Sequence, residues 1–412
     1  MLSPGRENRI VKKGAFHLDY LKLSNELYEE TKANRRYLHQ NPEVGMELPN
    51  NCAFILGKLT EMGYAPKRCG GDGIVAVVGK PGGKTILLRS DMDALPMREE
   101  SGLPFASTCD AAHTCGHDCN AAQLLTAAKL LKKNEAALAG TVKLMFQPAE
   151  EVFLGAKAMI ADGVLEDPKP DAALSFHVTS GQIPPTMFLY NATGTMMNSV
   201  DGFRIVVRGK GAHGAYPERS IDPINIAAHI YLALQSIIAR EIPSTQASVM
   251  TVGIFKAGDA YNIIPETAEL QGSIRTESPE QRELLVRRMQ QVASSVAATF
   301  NGTARVEMIA EVPPLICDSA VTKEFVEYME ELDVPGQAGI ADLKATASDD
   351  FACVLERIPG AYIYLSAGFP DRPATQQHSP DVLFNEEVFR FGPAYLAHCA
   401  TRWLEEAAKK QE

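Results

Sequence analysis

The stretch GTVKLMFQPAEE, residues 140–151, decides the fold. Its apolar run from Thr141 to Phe146 reads as a strand, and the adjacent carboxylates Glu150 and Glu151 follow at the strand's end. Upstream stands Cys115-Gly116-His117-Asp118, and downstream a second apolar run, Ala172 to Phe176, ends on His177. Thiolate, imidazole and carboxylate are the side chains that bind a borderline-soft divalent metal. Here they recur at element ends, where loops present functional groups above a rigid sheet. Two neighbouring carboxylates also allow one to hold metal while the other moves a proton, which points to metal-dependent hydrolysis.

Working outward, residues from about 20 to 195 alternate helical and strand patterns. Helices are predicted over His17 to His39 and Asn50 to Met62, and strands over Gly73 to Val78 and Lys84 to Arg89 around a Pro81-Gly82-Gly83 turn. Asn120 to Lys133 places Ala121, Leu124, Leu125, Ala128 and Leu131 on one face, an amphipathic helix just after the Cys115–His117 motif. A helix over Gly155 to Asp162 separates the strands at 141–146 and 172–176. Such alternation predicts an α/β sandwich with a mostly parallel central sheet.

The pattern changes near Asn198. A strand (Phe203 to Arg208) precedes a helix opened by Asp222-Pro223 and running to Arg240, and strands follow at Val249 to Phe255 and Ala268 to Thr276. Ser278 then caps another helix, with Gln281 three residues on, and a last strand covers Ala304 to Ala310. The order β-α-β-β-α-β is the split, ferredoxin-like unit. After Pro313-Pro314 the α/β pattern resumes, with a strand over Ala361 to Ser366 and a closing helix over Glu386 to Lys409. The expected organisation is a catalytic α/β domain in two parts, 1–198 and 312–412, with an inserted lid or dimerisation domain at 199–311.

At 412 residues the chain is longer than one ordinary core, which agrees with two domains. Its 45% apolar and 22% charged residues describe a globular chain, and a net charge of −11 argues against a nucleic-acid partner. No run approaches ~18 uninterrupted apolar residues, so no membrane span is expected. The start, MLSPGRENRIVKKG, lacks the apolar centre of a secretory signal, and eight cysteines without pairing symmetry fit reduced thiols. A cytoplasmic protein is expected.

Taken singly, each motif has other readings. Cys115 could be a buried small apolar residue. Cys109, Cys115 and Cys119 with His113 or His117 could form a structural zinc site, although the spacing is not a standard finger pattern. A thiolate nucleophile with His117 as base is a third reading, without an evident oxyanion hole or orienting partner. His17, His39, His229 and His398 read as structural.

One ordered set of motifs narrows these. RRYLHQNPEVG (35–45), RSDMDALP (89–96), HTCGHD (113–118), GTVKLMFQPAEE (140–151), SFHV (175–178), GKGAHGAYPERSIDPI (209–224), YNIIPETAELQGSIRT (261–276), SDDFA (348–352) and QHSP (377–380) resemble the aminoacylase/carboxypeptidase-like metallopeptidase family. The likeness is to the N-acyl-amino-acid amidohydrolase branch, with hippurate hydrolases and indoleacetyl-amino-acid hydrolases, and it spans nearly the whole chain.

The resemblance implies two divalent metal ions per subunit, held by Cys115, His117, Glu151, His177 and His378. Zn, Co or Ni suits the thiolate, with Mn also open. Glu150 matches the general base, and Asp93 an acidic residue that orients a metal-binding histidine. In related branches a histidine stands where this chain has Asp91. His213, Asn262 and Arg275 match positions that reach the substrate: Arg275 as a carboxylate clamp, His213 as an oxyanion donor, placed in the partner's site within a homodimer, with a lid closing over its own chain's site as the alternative. The implied activity is cleavage of the amide bond of a small N-acyl amino acid. A dipeptidase on the same scaffold and a non-catalytic metal-binding protein on a retired one are the alternatives. Three departures from the branch stand near the centre: Asn120 for a usual histidine, Asp349-Asp350 for a usual Glu-Asp, and the extra Cys109 in a short 104–113 segment.

Overall fold

The computed structural model describes residues 18–410, so His17 and the MLSPGRENRIVKKG stretch lie outside the described residues. An eight-stranded sheet forms the larger body. Its spatial order is Lys67–Arg68, Ile74–Gly79, Thr141–Gln147, Thr85–Asp91, Ala172–Thr179, Gly360–Ser366, Met187–Leu189 and Ala338–Ile340. The four strands from Thr141–Gln147 to Gly360–Ser366 are mutually parallel, and the pairings that flank them are antiparallel. The expected mostly parallel α/β sheet is therefore present.

Burial on both faces explains the apolar runs of these strands. Ile86, Leu88, Val142, Leu144 and Leu174 point into one core, while Leu87, Met145 and Ala173 point into the other. Helices His117–Lys133 and Gly392–Lys409 cover the first core, and the shorter Gly155–Ala161 and Ala352–Leu355 help cover the second. Thr141–Gln147 lies between Ile74–Gly79 and Thr85–Asp91, so the Pro81-Gly82-Gly83 turn does not join adjacent strands. No helix among the described residues is long and apolar enough to cross a membrane.

Several boundaries differ from expectation. One N-terminal helix was predicted, but Leu27 separates Tyr20–Glu26 from Tyr28–Gln40, where Ser24 Oγ donates to the Phe389 carbonyl and Tyr28 to Glu387. The closing helix begins at Gly392, after a 3₁₀ turn over Glu386–Arg390, with Pro393 in its first turn, where a missing N–H breaks no intrahelical bond. The helix expected from Asn120 begins at His117. His177 lies two residues inside its strand, which continues to Thr179.

A second body spans the middle of the chain. Its antiparallel sheet runs Ser248–Ala257, Thr267–Thr276, Val200–Arg208, Thr303–Val312. Helices Pro223–Glu241 and Pro279–Thr299 pack against it around Phe203, Ile205, Ile230, Leu234, Leu270 and Leu285. Asp222 accepts from Ile224 N and Ser278 from Gln281 N, each capping a helix with proline at its first position. This body brings Arg275 to the rim of the larger one.

Candidate metal centre

Five donors converge where the parallel strands end. Cys115 Sγ lies 3.7 Å from His177 Nε2, and His117 Nε2 is 3.8 Å from both Glu150 Oε2 and Glu151 Oε1. Glu151 turns its other oxygen to His378 Nε2 at 3.6 Å. The donors form overlapping groups, Cys115–His117–His177 and Cys115–Glu151–His378, with Glu150 beside the second carboxylate. His117 Nε2 and Glu151 Oε1 are buried, with no hydrogen-bond partner among the described residues. Orphaned polar atoms are costly unless something outside the protein satisfies them, and this donor set fits divalent cations.

Local backbone geometry aims these groups. Gly116 has φ +99°, and a Cβ there would come within 2.5 Å of Val178 Cγ2. Only glycine can therefore turn the chain from Cys115 into the helix that starts on His117. Gly155 packs so closely under the acidic turn that a Cβ would meet the Pro148 carbonyl oxygen. Ala149, Phe153 and His378 take φ of 51°, 59° and 63°, a region non-glycine residues rarely enter. Both buried histidines have their Nδ1 engaged: His177 with the Val178 carbonyl at 2.7 Å, His117 with the Asp93 carbonyl at 2.9 Å. That leaves Nε2 of each facing the centre. The Asp93 carboxylate, expected to orient a histidine, is 3.3 Å from His117 Nδ1, farther than its own backbone oxygen. Its two oxygens instead accept from the backbone N–H groups of Glu150 and Glu151, so it fixes the acidic turn.

Electrostatics here are dominated by burial and by too many anions. Burial, then Asp349 and Glu151, push the Glu150 carboxyl well above its ordinary value. Asp350 is pushed up to about 7, again chiefly by burial, although Arg89 opposes it. Burial lowers His177, keeping it a neutral imidazole suited to metal. Burial and the Glu151 charge push the Cys115 thiol up, and a bound cation would reverse that.

A cavity of about 650 Å³ opens over the centre. Cys115, Glu150, Glu151, His177, His378 and Arg275 line it, and His117 lies beneath, fully buried. Arg275 Nη1 donates to Ser348 Oγ at 3.0 Å, so the guanidinium projects over the cavity from the smaller body. His213 and Asn262 do not line it. They sit side by side on an exposed two-stranded ribbon, where Gly214 N donates to the Asn262 carbonyl.

Sequence reasoning missed Arg89 and Gln377 as supporting residues, and named Asn120 and Asp349 only as departures without a role. Arg89, wholly buried, donates to Gln147, Asp91 and Asp349. Asn120 links Asp91 to the backbone beside His177. Asp349 lines the cavity next to Glu150. Gln377 Nε2 donates to the Cys115 carbonyl at 2.7 Å, tying the His378 loop to the thiol-bearing segment. Only an arginine ending a predicted apolar strand, two residues before Asp91, hinted at the first of these.

A parallel sheet that carries metal-type donors and an adjacent acid–base carboxylate at its strand ends is the architecture of a metal-dependent hydrolase. Residues 87–402 match the profile of peptidase family M20/M25/M40, and the chain belongs to that family. It is 38% identical over 376 residues to N-acetyl-L-cysteine deacetylase of Bacillus subtilis, covering 90% of this chain and 87% of that one. It is 33% identical over 381 residues to IAA-amino acid hydrolase ILR1-like 5 of Arabidopsis thaliana, covering 90% and 86%. Among solved structures, the YXEP protein of Bacillus subtilis, a dinuclear metal binding peptidase from the M20 family, aligns with a TM-score of 0.77 at 29% identity. That alignment covers 92% of this chain and 99% of that one.

The raised carboxyls make a prediction for metal-free protein. A carboxyl whose folded pKa exceeds its unfolded value costs nothing below the unfolded value and destabilises as pH rises through the folded one. In chelator-treated protein the raised carboxyls should therefore subtract stability as pH rises from about 4.5 to about 7, and Glu150→Gln should remove part of that loss. Scanning calorimetry should find the metal-free variant melting above wild type at the higher pH and with it at the lower. Wild type melting higher at the upper pH would contradict the assignment.

Proposed function

We propose that the protein is a metal-dependent amidohydrolase that cleaves the amide bond of N-acyl amino acids. The observation that carries this is the placement of Glu150: buried, proton-seeking, and within one cavity that holds the donor groups on its floor and Arg275 on its wall. In this reading Cys115, His117, Glu151, His177 and His378 hold two divalent cations, with zinc and manganese the leading candidates. When bound, the cations polarise the scissile carbonyl and acidify the attacking water.

The chain's own groups do the rest. Glu150 takes the proton from the attacking water and returns it to the leaving amine nitrogen, a double duty that its raised proton affinity suits. Arg275 clamps the α-carboxylate of the amino-acid half through its fork of donors. Leu95, Phe153, Met197, Tyr362 and Tyr364 give the cavity an apolar wall for the acyl half. The names of the relatives support acetyl and larger acyl groups alike. The division into 1–198, 199–311 and 312–412 places the clamp on the inserted unit, and a cytoplasmic setting suits the free thiol of Cys115.

The same reading makes the protein a homodimer. Tyr231, Leu232, Val249, Phe255 and Ile263 are exposed on the smaller body, and Ser248–Ala257 is an edge strand of its sheet. His213 and Asn262, lying outside their own cavity, would then complete a partner's site, with His213 donating to the developing oxyanion.

Hydrolysis of a panel of acetyl-, benzoyl- and indoleacetyl-amino acids against dipeptides tests the function. Turnover of the acylated series is expected, with Glu150→Gln folding normally and losing ~10²–10⁴-fold in kcat. Near-normal rates in that variant would refute the base, and a preference for dipeptides would favour a peptidase.

Arg275→Ala should raise KM by about 10–150-fold for substrates with a free α-carboxylate, the worth of roughly 1.5–3 kcal/mol in a charge-assisted bond. The matching primary amides should change little. Equal losses on both would remove the clamp.

His213→Ala and Glu150→Gln should each be nearly inactive, the first by ~10²–10³-fold in kcat. Mixed and allowed to exchange subunits, they should regain activity, because one heterodimer site has both residues intact. Verified heterodimers without recovery would place His213 in its own chain's site or outside catalysis.

A further inference from the structure

Asp91 lies at the floor of the centre, and none of the roles above uses it. Its carboxylate is fully buried at the end of Thr85–Asp91. Oδ1 accepts from Asn120 Nδ2 at 2.7 Å, and Oδ2 accepts from Arg89 Nη1 at 2.7 Å. That same Oδ2 is 3.8 Å from Nε2 of His117 and 3.8 Å from Nε2 of His177. These are the two ring nitrogens left facing the centre, since each Nδ1 is engaged by a backbone carbonyl.

The spacing is informative. At 3.8 Å neither contact is a hydrogen bond. Donors about 2.0–2.2 Å from one zinc-sized ion in a tetrahedral arrangement stand roughly 3.3–3.6 Å apart, so Asp91 Oδ2 stands nearly at co-ligand distance from each imidazole nitrogen. A carboxylate oxygen that accepts one bond from arginine keeps a second lone pair. Asn120 is itself aimed, because its Oδ1 accepts from Val178 N at 2.9 Å. With both oxygens held, Asp91 cannot rotate away from the histidines.

We propose that Asp91 is a further residue of the metal site, presenting Oδ2 to the cation held by Cys115, His117 and His177, and that Asn120 is its positioning residue. The proposal rests on the two-cation reading given above. A hard oxygen beside a thiolate and two imidazoles widens the range of ions this side accepts, favouring Mn²⁺ over what sulfur and nitrogen alone would select.

The test is equilibrium binding of Mn²⁺ and Zn²⁺ to the full-length protein, with the visible absorption of Co²⁺-loaded protein as a second readout. Asp91→Asn, nearly isosteric, should weaken Mn²⁺ at one of two sites by about 10–100-fold, weaken Zn²⁺ less, and change the Co²⁺ spectrum, leaving the other site unaltered. If Asp91→Asn fails to fold, Asn120→Ala reads the same quantity, since it leaves the carboxylate and Arg89 in place. A Mn²⁺ Kd raised about tenfold for one ion supports the proposal, and an unchanged one overturns it. Wild type binding two ions beside an indistinguishable Asp91→Asn overturns this proposal alone. Wild type binding neither ion overturns the two-cation reading and this proposal with it.

Discussion

The buried guanidinium of Arg89 is the fixed point under the centre. It donates to Gln147 at 2.9 Å, to Asp91 at 2.7 Å and to Asp349 through two bonds of 3.1 Å. One side chain thereby joins the ends of two neighbouring parallel strands to the 348–350 loop from the far end of the chain. Six carboxylates crowd this region: Asp91, Asp93, Glu150, Glu151, Asp349 and Asp350. One guanidinium cannot neutralise them, and each ionised carboxylate left uncompensated in the interior costs several kcal/mol. The upward displacement of Glu150 and Asp350 expresses that unmet cost. Divalent cations are the physical completion of such a site.

The rest of the structure holds this charge-rich floor in place. From below, Arg35 and His39 both bind the Asp118 carboxylate at 2.7 Å, anchoring the first turn of the helix that begins on His117, and Glu99 holds the far side of His39 at 2.9 Å. From above, the left-handed backbone at Ala149, Phe153 and His378 costs about 1–2 kcal/mol per residue. Such conformations persist only where the surroundings overdetermine them. Asp93 accepting from Glu150 N and Glu151 N is one restraint, and Gln377 donating to the Cys115 carbonyl is another. The donors are thus set by backbone geometry as well as by packing.

Much of this was legible in the sequence. Strands buried on both faces appear as apolar runs, so 141–146 and 172–176 stood out, and the helices at 223 and 279 announced themselves through Asp-Pro and Ser-Pro starts. The Glu150-Glu151 pair and Cys115-x-His117 were visible as metal-type side chains at element boundaries, one after a strand and one at a helix start. Long-range polar pairing was not legible. Nothing local says that Arg89 meets Asp349, 260 positions away, or that Asn120 reaches both Asp91 and Val178. Residue type points to the Asp93 carboxylate as the group that orients a metal-binding histidine, whereas at His117 the Asp93 backbone oxygen, invisible to such reasoning, is the nearer acceptor. Strand periodicity likewise could not show that His177 sits inside its strand, because its side chain faces the centre from a regular β position.

The central claim is that the anionic floor is completed by two cations. Elemental analysis of gently purified protein, followed through chelation and re-addition of metal alongside turnover, addresses it most directly. Two divalent ions per chain, lost together with activity and restored with it, is the predicted result. Full activity in protein carrying well under one ion per chain would contradict it.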